Sequence, residues 1–272
     1  DGQSLFFYGQ PTTEAYAPEN VYWLSLGPGQ AVHGADAAPD GGQPTNLWFM
    51  SEYTARRDFL APYESKDRRS THGTITNVSN FGKWVPASST ESKRAFSFSV
   101  ALPGLLRTQE TGTVLRVSLV SYREFTTPDA HACDAWLNDT WAGSVSWTGE
   151  QAVALDGAHA LYAVTNGTAL VRVRNGQTSS TYGDFMMLDA RLAYPRAYTA
   201  TNGALLCTGG GARTASAGGF ASSAIRVWDI TDPLAPTELS VPVTQDPSGL
   251  WRATFACGGA QARYALFEAS AG

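Results

Sequence analysis

Apolar and polar residues alternate with a period of two along almost the whole chain, and no stretch sustains the 3.6-residue period of an amphipathic helix. In "RAFSFSVAL" (94–102), Phe96, Phe98 and Val100 fall on one face and Ala95, Ser97 and Ser99 on the other. "TVLRVSLVSY" (113–122) puts Leu115, Val117 and Leu119 together, and "TALVRVRN" (168–175) sets Leu170 opposite Val171 and Val173. Similar runs stand at 4–9, 20–27, 46–53, 183–194, 204–207, 224–230, 250–257 and 263–269, separated by turn signals such as "DGG", "LPG", "RNGQ", "ATNG" and "QDPSG". Helical turns are conceivable only within 54–63 and 150–164, the second interrupted by Gly157 and β-branched residues. So many strands without crossover helices predict an all-β protein of antiparallel sandwiches or jelly rolls.

A chain of 272 residues, 43% of them hydrophobic, can bury one large β-domain or two smaller ones. It contains no run of roughly 18 apolar residues, so no transmembrane helix is expected. It opens on Asp1-Gly2-Gln3-Ser4 and passes straight into a strand-like run, so no signal peptide is expected within it. Charged residues make up only 16% of the sequence and the net charge is −5. The basic groups, Arg56-Arg57 and 66–69, are interleaved with Asp58, Glu64 and Asp67. No cluster is left to neutralise phosphates, which argues against nucleic acid as a partner. Abundant Gly, Ser, Thr and aromatics with scarce Lys suit a secreted or cell-envelope protein.

The segment "VWDITDPLAPTEL" (227–239) raises the question of metal ligation by Asp229 and Asp232. A strand leaving through a rigid turn accounts for every residue in it: Asp232-Pro233 opens the turn and Pro236 stops a central strand. Asp184 and Asp189 fall on opposite strand faces, which does not suit a paired acid and base. No catalytic residue, no metal site and no cofactor are expected, a structural calcium at strand ends being the one ion weighed. His33, His72, His131 and His159 accompany three cysteines. His131 and Cys133 would share a strand face, yet no helix N-terminus stands by to activate the thiol. Neither a Gly-x-Ser-x-Gly elbow nor a His-Glu-x-x-His helix occurs. The Gly-rich piece 208–220 lacks the ending of a phosphate loop and reads as a flexible hairpin loop.

Cys133, Cys207 and Cys257 are too widely spaced for a zinc pattern. Cys207 and Cys257 each end a strand-like run, and a disulfide between them is weighed against three free buried thiols. "DAWLNDTWAGSVSW" (134–147) carries three tryptophans, with "NDTWAG" as a hairpin tip. Trp136, Trp141 and Trp147 are the candidates for stacking on sugar rings, against the alternative that they pack in the core. The composition suits an extracellular bacterial protein, in which the sequons at Asn77, Asn138 and Asn166 would carry no weight.

Four segments, in order, resemble the non-catalytic region that precedes the catalytic domain of bacterial gingipain-like cysteine peptidases. They are "LFFYGQPTTEAYAPENVYWLSLG", "AWLNDTWAGSVSWTG", "DFMMLDARLAYPRAY" and "RVWDITDPLAPTEL". The resemblance implies a secreted or envelope-associated β region; the family's catalytic His and Cys belong to another domain, so no catalytic residue is carried over. It also implies a discontinuous immunoglobulin-like sandwich (1–53 and 198–272) with a jelly-roll sandwich (54–197) inserted. The expected function is an accessory or pro-region module of a secreted gingipain-like peptidase, not an enzyme, docking to a protein partner or a downstream peptidase domain. The alternatives are a carbohydrate-binding module and a structural subunit of a cell-surface layer or filament.

Overall fold

The computed structural model describes residues 35–36, 47–55, 83–106, 113–121, 128–157, 167–178, 183–211 and 213–269. The apolar runs 4–9 and 20–27, the basic groups, His33, His72, His159 and the sequons at Asn77 and Asn166 lie outside them. The architecture is all-β, as the alternation predicts, with a single four-residue helix, α1 (Glu91–Arg94), among the described residues. The strands are β1 (Ala35–Asp36), β2 (Trp48–Ala55), β3 (Lys83–Val85), β4 (Ala95–Ala101), β5 (Val114–Val120), β6 (His131–Leu137), β7 (Thr140–Trp147), β8 (Ala152–Asp156) and β9 (Thr168–Asn175). They continue as β10 (Phe185–Ala197), β11 (Ala204–Thr208), β12 (Thr214–Phe220), β13 (Ile225–Asp229), β14 (Thr237–Ser240), β15 (Val243–Gln245), β16 (Trp251–Ala256) and β17 (Arg263–Glu268). The described parts of the two segments with helical potential are largely strand: Thr54 and Ala55 end β2 and Ala152–Asp156 form β8, while 56–63 and 158–164 lie outside the described residues.

The chain divides into two compact units, Glu52–Pro195 and the discontinuous pair Asp1–Ser51 with Arg196–Gly272. In the unit Glu52–Pro195, one sheet runs β2-β10-β5-β8, with β3 also on β10, and the other runs β4-β9-β6-β7. Alternation explains how they pack. In β6 every second residue from His131 to Leu137 is buried, and in β9 Ala169, Val171 and Val173 point in while Leu170 is exposed. These inward residues meet Leu115, Val117 and Leu119 of β5 in one core, the facing surfaces of two stacked sheets.

In the discontinuous unit one sheet runs β1-β14-β13-β17-β11 and a smaller one β12-β16-β15. The pairings are antiparallel except for β1 with β14. Leu205, Ala217, Val227, Phe255, Tyr264 and Leu266 supply the core between the sheets. β12 overturns the reading of 208–220 as a flexible loop. Only the stretch before Thr214 turns, with Gly210 and Gly211 at positive φ, and Ala215 and Ala217 are fully buried on a strand paired with β16. Small side chains disguise this strand because alanines, rather than large hydrophobes, fill the space at the sheet interface. Its register shifts between Ala217 and Phe220, where Gly219 adopts φ +85° and a Cβ would lie 2.9 Å from the Thr199 methyl.

Candidate functional site

The outer face of the sheet β4-β9-β6-β7 gathers the most distinctive exposed chemistry among the described residues. Its registers align Ser97, Arg172, Trp136 and Trp141 in one row across four strands. The neighbouring row is Ala95, Arg174, Asp134 and Ser144. Trp136 is half-buried because two guanidinium groups lie over it, Arg172 at 4.8 Å and Arg174 at 4.7 Å from the ring centroid. Arg174 donates through Nε and Nη2 to Asp134 Oδ2 at 3.2 and 2.7 Å, and that hydrogen bond raises its pKa above the ordinary guanidinium value. Arg172 donates to Glu91 Oε1, and Arg94 reaches Glu91 Oε2 at 2.9 Å through Nε. At Glu91, desolvation pushes the pKa up, but the hydrogen bond and charge of Arg94, with Arg174 and Arg172, hold it below the usual carboxylate value.

Trp141, in contrast, is 59% exposed at the outer end of the row. It is the second residue of β7, just past the hairpin tip, where Asn138 adopts φ +52° and locks to β9: the Asn138 N–H donates to Leu170 O at 2.6 Å and its Oδ1 accepts from Leu170 N at 2.8 Å. The third candidate, Trp147, is not a surface residue. It is 5% exposed, stacks on His131 (ring centroids 5.2 Å apart, 18° between planes) and donates from Nε1 to Ser121 Oγ at 3.0 Å. Counting by twos puts Trp141 and Trp147 on the same face, but the register shifts between Ala135 and Trp136, where Ala135 pairs with Gly143 and Trp136 with Trp141. The bulge takes up one extra residue and reverses the facing of the rest of β7. The sugar-stacking set therefore loses Trp147 to the core, and Trp136 serves as a bed for guanidinium groups.

The remaining sequence candidates resolve into structure. Asp229 Oδ1 accepts from Thr231 N at 2.8 Å and Asp232 Oδ1 from Leu234 N at 3.0 Å, two Asx turns that carry β13 into its hairpin partner β14. Asp184 accepts from Ala87 N at 2.8 Å, and Asp189 from Ser118 Oγ at 2.9 Å. Among the described residues no group of three or more His, Cys, Asp or Glu is placed to hold a metal ion. No helix among them is long and apolar enough to cross a membrane.

All three cysteines are free thiols, so the Cys207–Cys257 disulfide is not formed. Burial pushes the Cys133 and Cys207 thiols far up and half-buried Cys257 to about 11. None has the depressed pKa of a nucleophile. We expect a thiol reagent at neutral pH to modify Cys257 slowly in the native chain and all three at once in denaturant. Mass shifts after timed quenching check this, and a native chain unreactive until reduced would restore the disulfide.

Arg172, Arg174, Asp134 and Glu91 were not singled out in the sequence. The alternation "VRVR" (171–174) carried the signal for two outward arginines, but their meeting with Trp136 depends on cross-strand register.

Neither a family model nor a curated protein matches the chain. Among solved structures, it is similar to the crystal structure of dimeric latent PorU from Porphyromonas gingivalis, with a TM-score of 0.57 at 8% identity. That match covers 87% of this chain and 22% of PorU, so the chain spans about a fifth of the PorU length. A weaker match, to an FMN-binding beta-glucuronidase from Facaelibacterium prausnitzii L2-6 (TM-score 0.22, 14% identity, 64% of this chain and 26% of that one), carries no argument. The likeness to PorU is one of fold.

Proposed function

We propose that this chain is a non-catalytic accessory module of a secreted gingipain-like peptidase and acts by docking to a protein partner. The observation that carries the reading is the fold likeness, which takes in 87% of this chain but only 22% of PorU, a protein captured in a latent state. A fold that recurs as a minor part of a larger protein suits a module whose work is done on a neighbouring domain. The ordered sequence segments that resemble the non-catalytic region of gingipain-like peptidases support the same reading. Its chemistry is consistent with it: the thiols are held protonated, and the aspartates are occupied with turns and strand contacts.

The test mixes the purified 272-residue chain with a gingipain-like catalytic domain and follows binding by calorimetry and peptide hydrolysis by chromatography. The reading expects a stoichiometric complex and no hydrolysis by the chain alone. Turnover by the chain alone, or no complex, would overturn it.

A further inference from the structure

We infer that the outer face of the sheet β4-β9-β6-β7 binds an acidic oligosaccharide, with Trp141 as the stacking platform and Arg172 as the carboxylate contact. This site is independent of the docking reading and uses residues that the turns, cores and thiols do not occupy.

A sugar ring presents an apolar C–H face and a rim of hydroxyls. It needs a flat exposed aromatic surface beside polar groups held in place, and the central row supplies both. Trp141 offers an indole 59% exposed, and Leu170, 41% exposed two strands away on β9, is a second apolar spot on the same sheet face. The row Ser97, Arg172, Trp136, Trp141 crosses three strand intervals. At about 4.8 Å per interval it spans roughly 14 Å, enough for a short oligosaccharide rather than a single ring.

Charge selects the class of sugar. The two rows and α1 hold Arg94, Arg172 and Arg174 against Glu91 and Asp134, with Asp129, bonded to Ser146, and Asp139, at the hairpin tip, toward the margins of the face. Arg174 is committed to Asp134, but Arg172 keeps its side chain 38% exposed and has more donors than its bond to Glu91 uses. The Trp136 ring beneath restrains that guanidinium before any ligand arrives, which lowers the entropy lost on binding. A uronate carboxylate complements the spare donors of Arg172, whereas a neutral sugar has no charge to pair with them.

The experiment titrates the full chain with polygalacturonate, alginate and hyaluronate oligomers, and with neutral cello-oligosaccharide, by calorimetry at two salt concentrations. At least one uronate oligomer should bind, at least about tenfold more tightly than the neutral one, and weaken as salt rises. Trp141→Ala should weaken binding by about tenfold or more and Arg172→Gln by about fivefold, with unfolding midpoints unchanged. Leu206→Ala, an exposed leucine in the other unit, should bind as wild type. Failure of all three uronates, equal binding of the neutral sugar, or full binding by folded Trp141→Ala would each overturn the proposal. If Trp141→Ala abolishes complex formation with a peptidase domain while no sugar binds, the face is a protein-docking surface and the glycan assignment is wrong.

Discussion

Replacing Asn175 with alanine should lower the stability of the chain by about 3 kcal/mol, read as a shift of the urea midpoint at unchanged slope. Asn175 is fully buried at the end of β9 and joins three separate segments. Its Nδ2 donates to Val85 O at 3.1 Å and to Gly183 O at 2.8 Å, and its Oδ1 accepts from Gln177 N at 2.9 Å. Alanine would leave two carbonyls and an amide without these partners where water is scarce, and the penalty for stranding them exceeds the net worth of the bonds. Asn175→Asp should be worse at neutral pH, because an ionised carboxylate would point acceptors at two carbonyl oxygens. Only its protonated form can donate, so the folded state raises the pKa of the introduced group. The folded chain then binds the proton more tightly than the unfolded one, and the variant should regain stability as pH falls. A midpoint for Asn175→Ala within about 0.5 kcal/mol of wild type would show that the bridge contributes little.

The second large effect separates two tryptophans on one strand. Trp147→Ala should cost about 3–5 kcal/mol, the range for removing a buried aromatic, whereas Trp141→Ala should leave stability within about 0.5 kcal/mol. Trp147 packs between His131 and Phe185, with centroids at 5.2 and 5.5 Å, and its indole N–H reaches Ser121. That serine is itself a junction, donating to Gly149 O at 2.7 Å and accepting from Gln151 N at 3.2 Å. Trp147→Phe should fall between the two, since it keeps much of the ring packing but strands the Ser121 contact. Equal losses for Trp147→Ala and Trp141→Ala in chemical denaturation would mean that the bulge in β7 is misplaced.

That contrast marks how far the sequence was legible. Period-two runs in 94–102, 113–122 and 168–175 disclosed which side chains share a face, because a strand's facing is fixed by parity alone. The Asx turns at Asp229 and Asp232 were legible for a similar reason, since their hydrogen bonds run to residues two positions ahead. Parity failed at the β6–β7 bulge, where one extra residue reverses the facing and sends Trp147 inward. It was also silent on β12, whose Ala, Ser and Gly residues have the composition of a loop but pack where only small side chains fit. The candidate face depends on register between β4, β9, β6 and β7, a long-range property that spacing along one strand does not encode. The bed of Trp136 under Arg172 and Arg174 was therefore out of reach, although each residue's outward direction was not.

Light scattering coupled to size-exclusion chromatography, over a concentration series with and without a gingipain-like catalytic domain, tests the central claim most directly. A docking module should run as a monomer at every concentration alone and shift to a one-to-one complex when the catalytic domain is added. Concentration-dependent growth of the isolated chain into larger species, with no complex on mixing, would contradict the account and make self-assembly the function.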